Sequence, residues 1–160
     1  MNKIKISKNE YNKISEKISR EYIRKVLSLS KELSKEEREF QKKRIELECD
    51  KELEKYEVIP FNPGVNDKIN DLINKLCNTE TEQEGYRLFE GEIEDHKIID
   101  DLIKNEGFEI LENYGYEIEV YNKDLNLIIG RSFDDISFLV CNSSDSFNFE
   151  LKRLKELNEE

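Results

Sequence analysis

The chain has 160 residues, a net charge of −11 and 39% charged side chains. This length fits one domain and lets the chain bury a core without disulfides or a structural metal. The negative charge argues against direct nucleic-acid binding, because phosphate contacts require lysine and arginine. Eighteen isoleucines, eight phenylalanines and seven tyrosines indicate a folded core. We therefore expect a single domain over 1–160, with subregions 1–57 and 66–160.

Composition also predicts the cellular setting. No apolar run has the length of a membrane span, and the N-terminus lacks the apolar core of a secretory signal. Cys49, Cys77 and Cys141 are an odd number at wide intervals, which is typical of reduced structural thiols. The absence of alanine and the abundance of Lys, Asn, Ile and Glu indicate an AT-rich genome. We expect a cytoplasmic protein that does not bind membranes.

Two helices are predicted at the start of the chain. Each follows an S-x-x-E capping box, which is Ser7 with Glu10 and Ser34 with Glu37. Apolar residues then recur every three or four positions, which predicts helices over 8–32 and 35–56. Because one or two residues would join them, we expect an antiparallel helical hairpin.

The middle of the chain is predicted to hold a break and two shorter helices. Both prolines fall within 58–64, where they stop the second helix. Apolar spacing predicts a helix over 67–77, and the polar stretch 78–84 is predicted to be a loop. A further helix is predicted over 92–105, with Gly107 as its terminator.

After Gly107 the apolar period changes from helical spacing to two, which predicts strands. They cover 108–111, 116–121, 125–129 and 136–141. A closing helix follows from Phe147 to Leu154. The predicted fold class is therefore α+β: an N-terminal antiparallel helical hairpin, then helices packed on one face of an antiparallel sheet of about four strands.

Charge is distributed unevenly along the chain. Residues 1–31 carry a net charge of +6, and residues 78–119 carry −11. Charge asymmetry of this kind accompanies partner recognition, although a solvated, solubilising surface has the same composition. Alternation along a strand would place Glu117 and Glu119 on one face, about 6.5–7 Å apart. The predicted partner-binding residues are Asp100, Asp101, Glu109, Glu112, Glu117, Glu119 and Tyr121.

A metal site is an alternative use of the acidic residues. On a helix over 92–105, Glu92, His96 and Asp100 would share one face, and one histidine with two carboxylates can bind a divalent metal. The competing interpretation is an exposed polar face, and we expect no bound metal or cofactor.

The sequence also contains two candidate catalytic sites. Asp134, Asp135 and the triplet Glu150-Leu151-Lys152 resemble the core of metal-dependent nucleases, in which an acid and an E-x-K on successive strands hold magnesium. Lys152 departs from this pattern because it falls in the closing helix. Nucleophilic catalysis by Cys141 has little support, since His96 is the only histidine and the region is acidic.

The sequence therefore predicts a non-enzymatic protein that binds a basic surface of a nucleic-acid-handling protein or a toxin. This profile resembles that of immunity proteins and phage-encoded inhibitors of bacterial defence. Two alternatives stay open: a magnesium-dependent nuclease-like enzyme, and a structural adaptor that docks through its basic N-terminal helix.

Overall fold

The computed structural model describes residues 2–158. The chain divides into two compact units, one ending at Pro60 and the other beginning at Phe61. This boundary lies within the segment 58–64 that was predicted as a break. A single domain over 1–160 stays a prediction. Within residues 2–158, no helix combines the length and apolarity needed to cross a membrane.

The N-terminal unit is built from two helices and two short strands. In chain order they are β1 (Ile4–Ser7), α1 (Lys8–Leu27), α2 (Lys35–Leu53) and β2 (Tyr56–Ile59). The strands pair in parallel, with Ile6 opposite Val58. The Ser7 hydroxyl accepts from the Glu10 amide at 3.2 Å, so the first capping box forms. The unit agrees with the predicted helical hairpin, whereas its two strands were not predicted.

Both helices are shorter than predicted. Helix α1 ends at Leu27 instead of residue 32, and α2 ends at Leu53, which leaves Tyr56 to begin a strand. Serines end α1: the Ser28 hydroxyl donates to the Lys25 carbonyl at 2.8 Å, and the Ser30 hydroxyl accepts from the Glu32 amide at 3.2 Å. Serine side chains compete in this way for backbone groups that a helix would otherwise use.

The C-terminal unit is a six-stranded antiparallel sheet with three helices. Its elements are α3 (Asp67–Leu76), β3 (Cys77–Gln83), β4 (Tyr86–Glu92), α4 (Lys97–Asn105), β5 (Glu109–Tyr114), β6 (Glu117–Asn122), β7 (Leu127–Ser132), β8 (Asp135–Cys141) and α5 (Ser144–Asn158). The strand order is β3-β4-β8-β7-β6-β5. The α+β class is therefore confirmed, but the sheet has six strands where about four were predicted.

Helices cover both faces of this sheet, so their predicted placement on one face is wrong. On the core face, α3 and α4 bury Ile73 and Leu102 against Phe89, Ile129 and Phe138. On the opposite face, called the α5 face below, a smaller cluster forms from α5 and the sheet. Its buried members are Ile128, Cys141, Phe147 and Leu151.

The strands β3 and β4 were not predicted. Residues 78–84 were predicted to be a loop because they are polar, yet most of them form the edge strand β3. An edge strand tolerates such a composition because only one of its sides is paired. The predicted helix over 92–105 begins only at Lys97, since Glu92 is the last residue of β4. These two strands account for the difference between four and six.

Replacing Gly91 with alanine is expected to destabilise the C-terminal unit. A Cβ at this position would lie 1.9 Å from the Leu76 carbonyl oxygen and 2.6 Å from the Cys77 Cα, so backbone would have to move. We expect Gly91→Ala to lower the free energy of unfolding by about 1–3 kcal/mol, measured by chemical denaturation.

Gly130→Ala provides the matched control, because a Cβ at Gly130 meets side-chain atoms. They are Ser137 Oγ at 3.2 Å and Glu119 Cγ at 3.9 Å. We expect a loss below about 1 kcal/mol for this variant. Equal losses for the two variants would contradict the close packing of the α3–β3 corner on β4.

Candidate partner-binding site

An open cleft of about 830 Å³ lies on the α5 face of the sheet. Small side chains form its floor: Gly130, Ser132 and Ser137. Six carboxylates line it: Glu90, Glu92, Glu112, Glu117, Glu119 and Asp135. These nine residues are called the acidic cleft. Arg131 is the one base among the lining residues that the structure describes, and its Nε donates to the Phe133 carbonyl at 3.2 Å.

Strand register places these carboxylates together. Directly opposite residues of antiparallel strands share a face, so each row can be followed across the sheet. One row runs Glu112, Glu119, Gly130, Ser137, Glu90. The next row runs Tyr114, Glu117, Ser132, Asp135, Glu92. In both rows carboxylates flank a centre of small residues, which gives the cleft two acidic walls.

The width of the cleft follows from the strand spacing. Glu119 and Glu90 are separated by three strand intervals, from β6 to β4. At about 4.8 Å per interval, their backbone positions lie roughly 14 Å apart. This spacing leaves an open groove between the two acidic walls.

Glu119 is the most perturbed carboxylate of the acidic cleft. Partial burial raises its pKa, and the nearby charges of Glu112 and Glu117 raise it further. Its Oε2 atom is buried and makes no hydrogen bond within the described chain. A carboxylate in this position is stabilised by any cation that approaches it, since both causes of the raised pKa oppose its negative charge.

The structure brings together five of the seven predicted partner-binding residues. Glu112, Glu117 and Glu119 line the acidic cleft. Glu109 and Tyr121 are opposite each other two pairs further along the same two strands, where the Tyr121 hydroxyl donates to Glu109 Oε2 at 2.6 Å. That hydrogen bond raises the pKa of Tyr121, and the Tyr121 ring packs in the cluster around α5.

The other two predicted residues, Asp100 and Asp101, belong to the opposite layer. They lie on α4, which packs on the core face. Asp101 binds Lys68 Nζ at 2.8 Å and accepts from the Asn105 amide at 2.6 Å. These contacts lower the pKa of Asp101, with the Lys68 hydrogen bond as the larger cause. Local sequence patterns could not separate the two groups, because they do not show which sheet face a helix covers.

The arrangement predicted for a metal site is not present. Glu92 lies on β4, His96 precedes α4 and Asp100 is within α4, so the three residues do not share a helix face. Across residues 2–158, no three His, Cys, Asp or Glu side chains are arranged to hold a metal ion.

The nuclease-like pattern also fails in its geometry. Glu150 and Lys152 both lie on α5 and not on a strand. Glu150 is buried and accepts from Arg153 Nη2 at 2.7 Å, while Lys152 is exposed to solvent. Asp135 lines the acidic cleft and Asp134 lies in the turn before it. The residues of the triplet therefore do not converge on a common site.

Cys141 is not activated as a nucleophile. It is buried in the cluster beneath α5, and this burial, together with the charge of Glu150, raises its pKa to about 11. A thiol with this pKa is almost fully protonated at neutral pH, and the thiolate is the reactive form. All three cysteines are free thiols.

Sequence reasoning missed one wall of the acidic cleft. It placed Glu92 at the start of a helix, although Glu90 and Glu92 both lie on β4, and it did not include Asp135 among the partner-binding residues. A signal was present for β4, because the apolar Leu88 and the two glutamates alternate with Phe89 and Gly91. The pairing of β4 with β8, which completes the wall, has no local signal.

Comparison with known proteins gives no match: no protein-family model, no curated protein sequence and no solved structure matches this chain.

Neutralising Glu119 is expected to stabilise the protein at neutral pH. Because the folded-state pKa of Glu119 is raised, its ionisation costs stability as pH rises through the interval between the unfolded and folded pKa values. We expect Glu119→Gln to raise the free energy of unfolding at pH 7 by about 0.2–1 kcal/mol, the magnitude typical of a cross-strand pair interaction.

The gain should shrink as pH falls toward 4, because the wild-type carboxyl then becomes protonated in the folded state. Denaturation at pH 7 and pH 4 tests this dependence. Glu84→Gln, in the β3–β4 turn, is the matched control and should change stability little at either pH. A gain that is the same at both pH values would contradict the assignment to Glu119 ionisation.

Proposed function

We propose that this protein is a non-enzymatic binding protein that captures a basic surface of a partner protein in the acidic cleft. The partner is a nucleic-acid-handling protein or a toxin, and the binding inhibits it, as an immunity protein does. The observation that carries the proposal is the convergence of six carboxylates on two walls around a floor of small side chains.

The charge of the whole C-terminal unit supports this proposal. Residues 61–160 contain 24 acidic and ten basic side chains, a net charge of −14. A field of one sign around a cleft raises the local concentration of an oppositely charged partner and its association rate. The same field repels nucleic acid, which supports a protein partner with a basic surface.

The spacing of the walls supports a partner that normally binds phosphates. Glu117 and Glu119 on one wall, and Glu90 and Glu92 on the other, are pairs two residues apart on a strand. Such pairs present charges about 6.5–7 Å apart on a rigid backbone. A regular series of fixed negative charges can occupy a basic surface whose usual ligand is a phosphate backbone.

Neutralising the Glu117/Glu119 pair is expected to weaken partner binding at least tenfold. The partner is first isolated with the tagged full-length chain from the lysate of a bacterium with an AT-rich genome. Its affinity for purified wild type and for the double variant Glu117→Gln/Glu119→Gln is then measured by calorimetry at low and moderate salt. The difference should be largest at low salt, where charge interactions are least screened.

Asp100→Asn/Asp101→Asn is the matched control, because it removes the same charge from the opposite layer. We expect this variant to weaken binding by less than about twofold, as screened charges away from a contact contribute little. Equal losses for the two double variants would contradict binding in the acidic cleft and indicate that net charge alone attracts the partner.

A further inference from the structure

A stacked aromatic pair lies exposed at the end of the acidic cleft. The rings of Tyr116 and Phe133 have centroids 5.6 Å apart and an interplanar angle of 26°. Tyr116 is 69% exposed and Phe133 is 61% exposed. Tyr114, which lines the cleft, is 78% exposed. Aromatic rings are depleted from ordinary solvated surfaces and enriched where proteins bind each other.

Phe133 holds an unfavourable backbone conformation. It is the first residue of the two-residue connection between Ser132 and Asp135, and its φ is 55°. Glycine is the usual residue at that position of such a hairpin, because a bulky side chain at positive φ is strained. Two hydrogen bonds keep it there: its amide donates to the Tyr116 carbonyl at 3.3 Å, and its carbonyl accepts from Arg131. The turn therefore exposes an aromatic ring in a backbone conformation that lowers the stability of the fold.

The aromatic pair adjoins the carboxylate rows of the acidic cleft along the backbone. Tyr116 directly precedes Glu117, and Glu117 lies opposite Ser132, the residue before Phe133. Asp135 follows in the same row. Among the described residues, cation–π contacts involve Phe89 and Tyr121, and neither ring of the exposed pair has a Lys or Arg stacked on it. Both rings are also largely exposed to solvent.

We infer that the acidic cleft selects arginine over lysine: a guanidinium of the partner stacks on the Tyr116–Phe133 pair and donates to Glu117 or Asp135. The inference rests on the proposed function and names the chemistry of its partner. A planar guanidinium can stack on a ring and bind a carboxylate in the same pose, whereas an ammonium is a compact, strongly hydrated charge. An apolar partner residue would cover the rings but would desolvate Glu117 without compensation.

The probes are a labelled arginine–glycine repeat peptide and its lysine–glycine counterpart of equal length and charge. Binding to the full-length chain is measured by fluorescence anisotropy at one ionic strength. We expect the dissociation constant for the lysine peptide to be about three- to tenfold higher than for the arginine peptide. Equal constants would overturn the arginine preference while leaving the proposed function standing. If neither peptide binds at low salt, the proposed function fails, and the inference with it.

Phe133→Gly separates stacking from folding, because glycine relieves the positive φ while it removes the ring. We expect its melting temperature to be at least that of the wild type, and the lysine-to-arginine ratio to fall to about one. Asn126→Gly is the matched control: Asn126 has φ 52° and lies in the β6–β7 connection at the opposite end of the sheet. It should leave the ratio unchanged.

Tyr116→Leu provides a second variant that keeps an apolar side chain but removes the other ring. The ratio should fall here too. A preference for arginine that survives in both Phe133→Gly and Tyr116→Leu would overturn the assignment to the aromatic pair, as would a loss of the preference in Asn126→Gly.

Discussion

The packing of the core face of the six-stranded sheet determines where every carboxylate of the acidic cleft lies. Phe89, Ile129 and Phe138 are fully buried under α3 and α4, which fixes the side of the sheet that each strand turns inward. A slip of one residue in any strand would exchange its two faces, and would bury charged groups such as Glu119 in place of apolar ones. The position of the acidic cleft is thus a consequence of the apolar core, although no core residue belongs to it.

On the α5 face, the repulsion between clustered carboxylates destabilises the folded chain. Glu112 and Glu119 are directly opposite each other, and like charges in cross-strand pairs destabilise a sheet. Ordinary solvated surfaces avoid this cost by intermixing charges of both signs, as the Lys68–Asp101 pair does on the core side. Strained or repulsive features that the core must offset occur more often at functional sites than elsewhere. The repulsion within the cleft therefore favours a functional surface over a merely solubilising one.

How well each element could be predicted from the sequence depends on what that element contacts. The alternation of Ile118 and Val120 with glutamates predicted β6 and its acidic face, because a half-buried strand shows a period of two. The edge strand β3 is almost wholly polar and is held by backbone hydrogen bonds to β4, so it has no such pattern. Placing Glu90 and Asp135 beside the β6 glutamates depends on β4 pairing with β8, which is distant in sequence and invisible to local periodicity. Local patterns therefore identified one wall, and only the topology supplies the other.

The charge of the acidic cleft is unfavourable for catalysis on an anionic substrate. A phosphodiester substrate would meet six carboxylates and one arginine that is already hydrogen-bonded to a backbone carbonyl, so its own charge would be repelled. A cation has the opposite effect: a positive group near Glu119 would compensate the repulsion from Glu112 and Glu117 that contributes to the raised pKa of Glu119. Binding of a cation would therefore restore part of the stability that the folded chain loses to this repulsion. A cleft organised in this way would stabilise a bound cationic group, and it would provide no comparable stabilisation for a reacting anion.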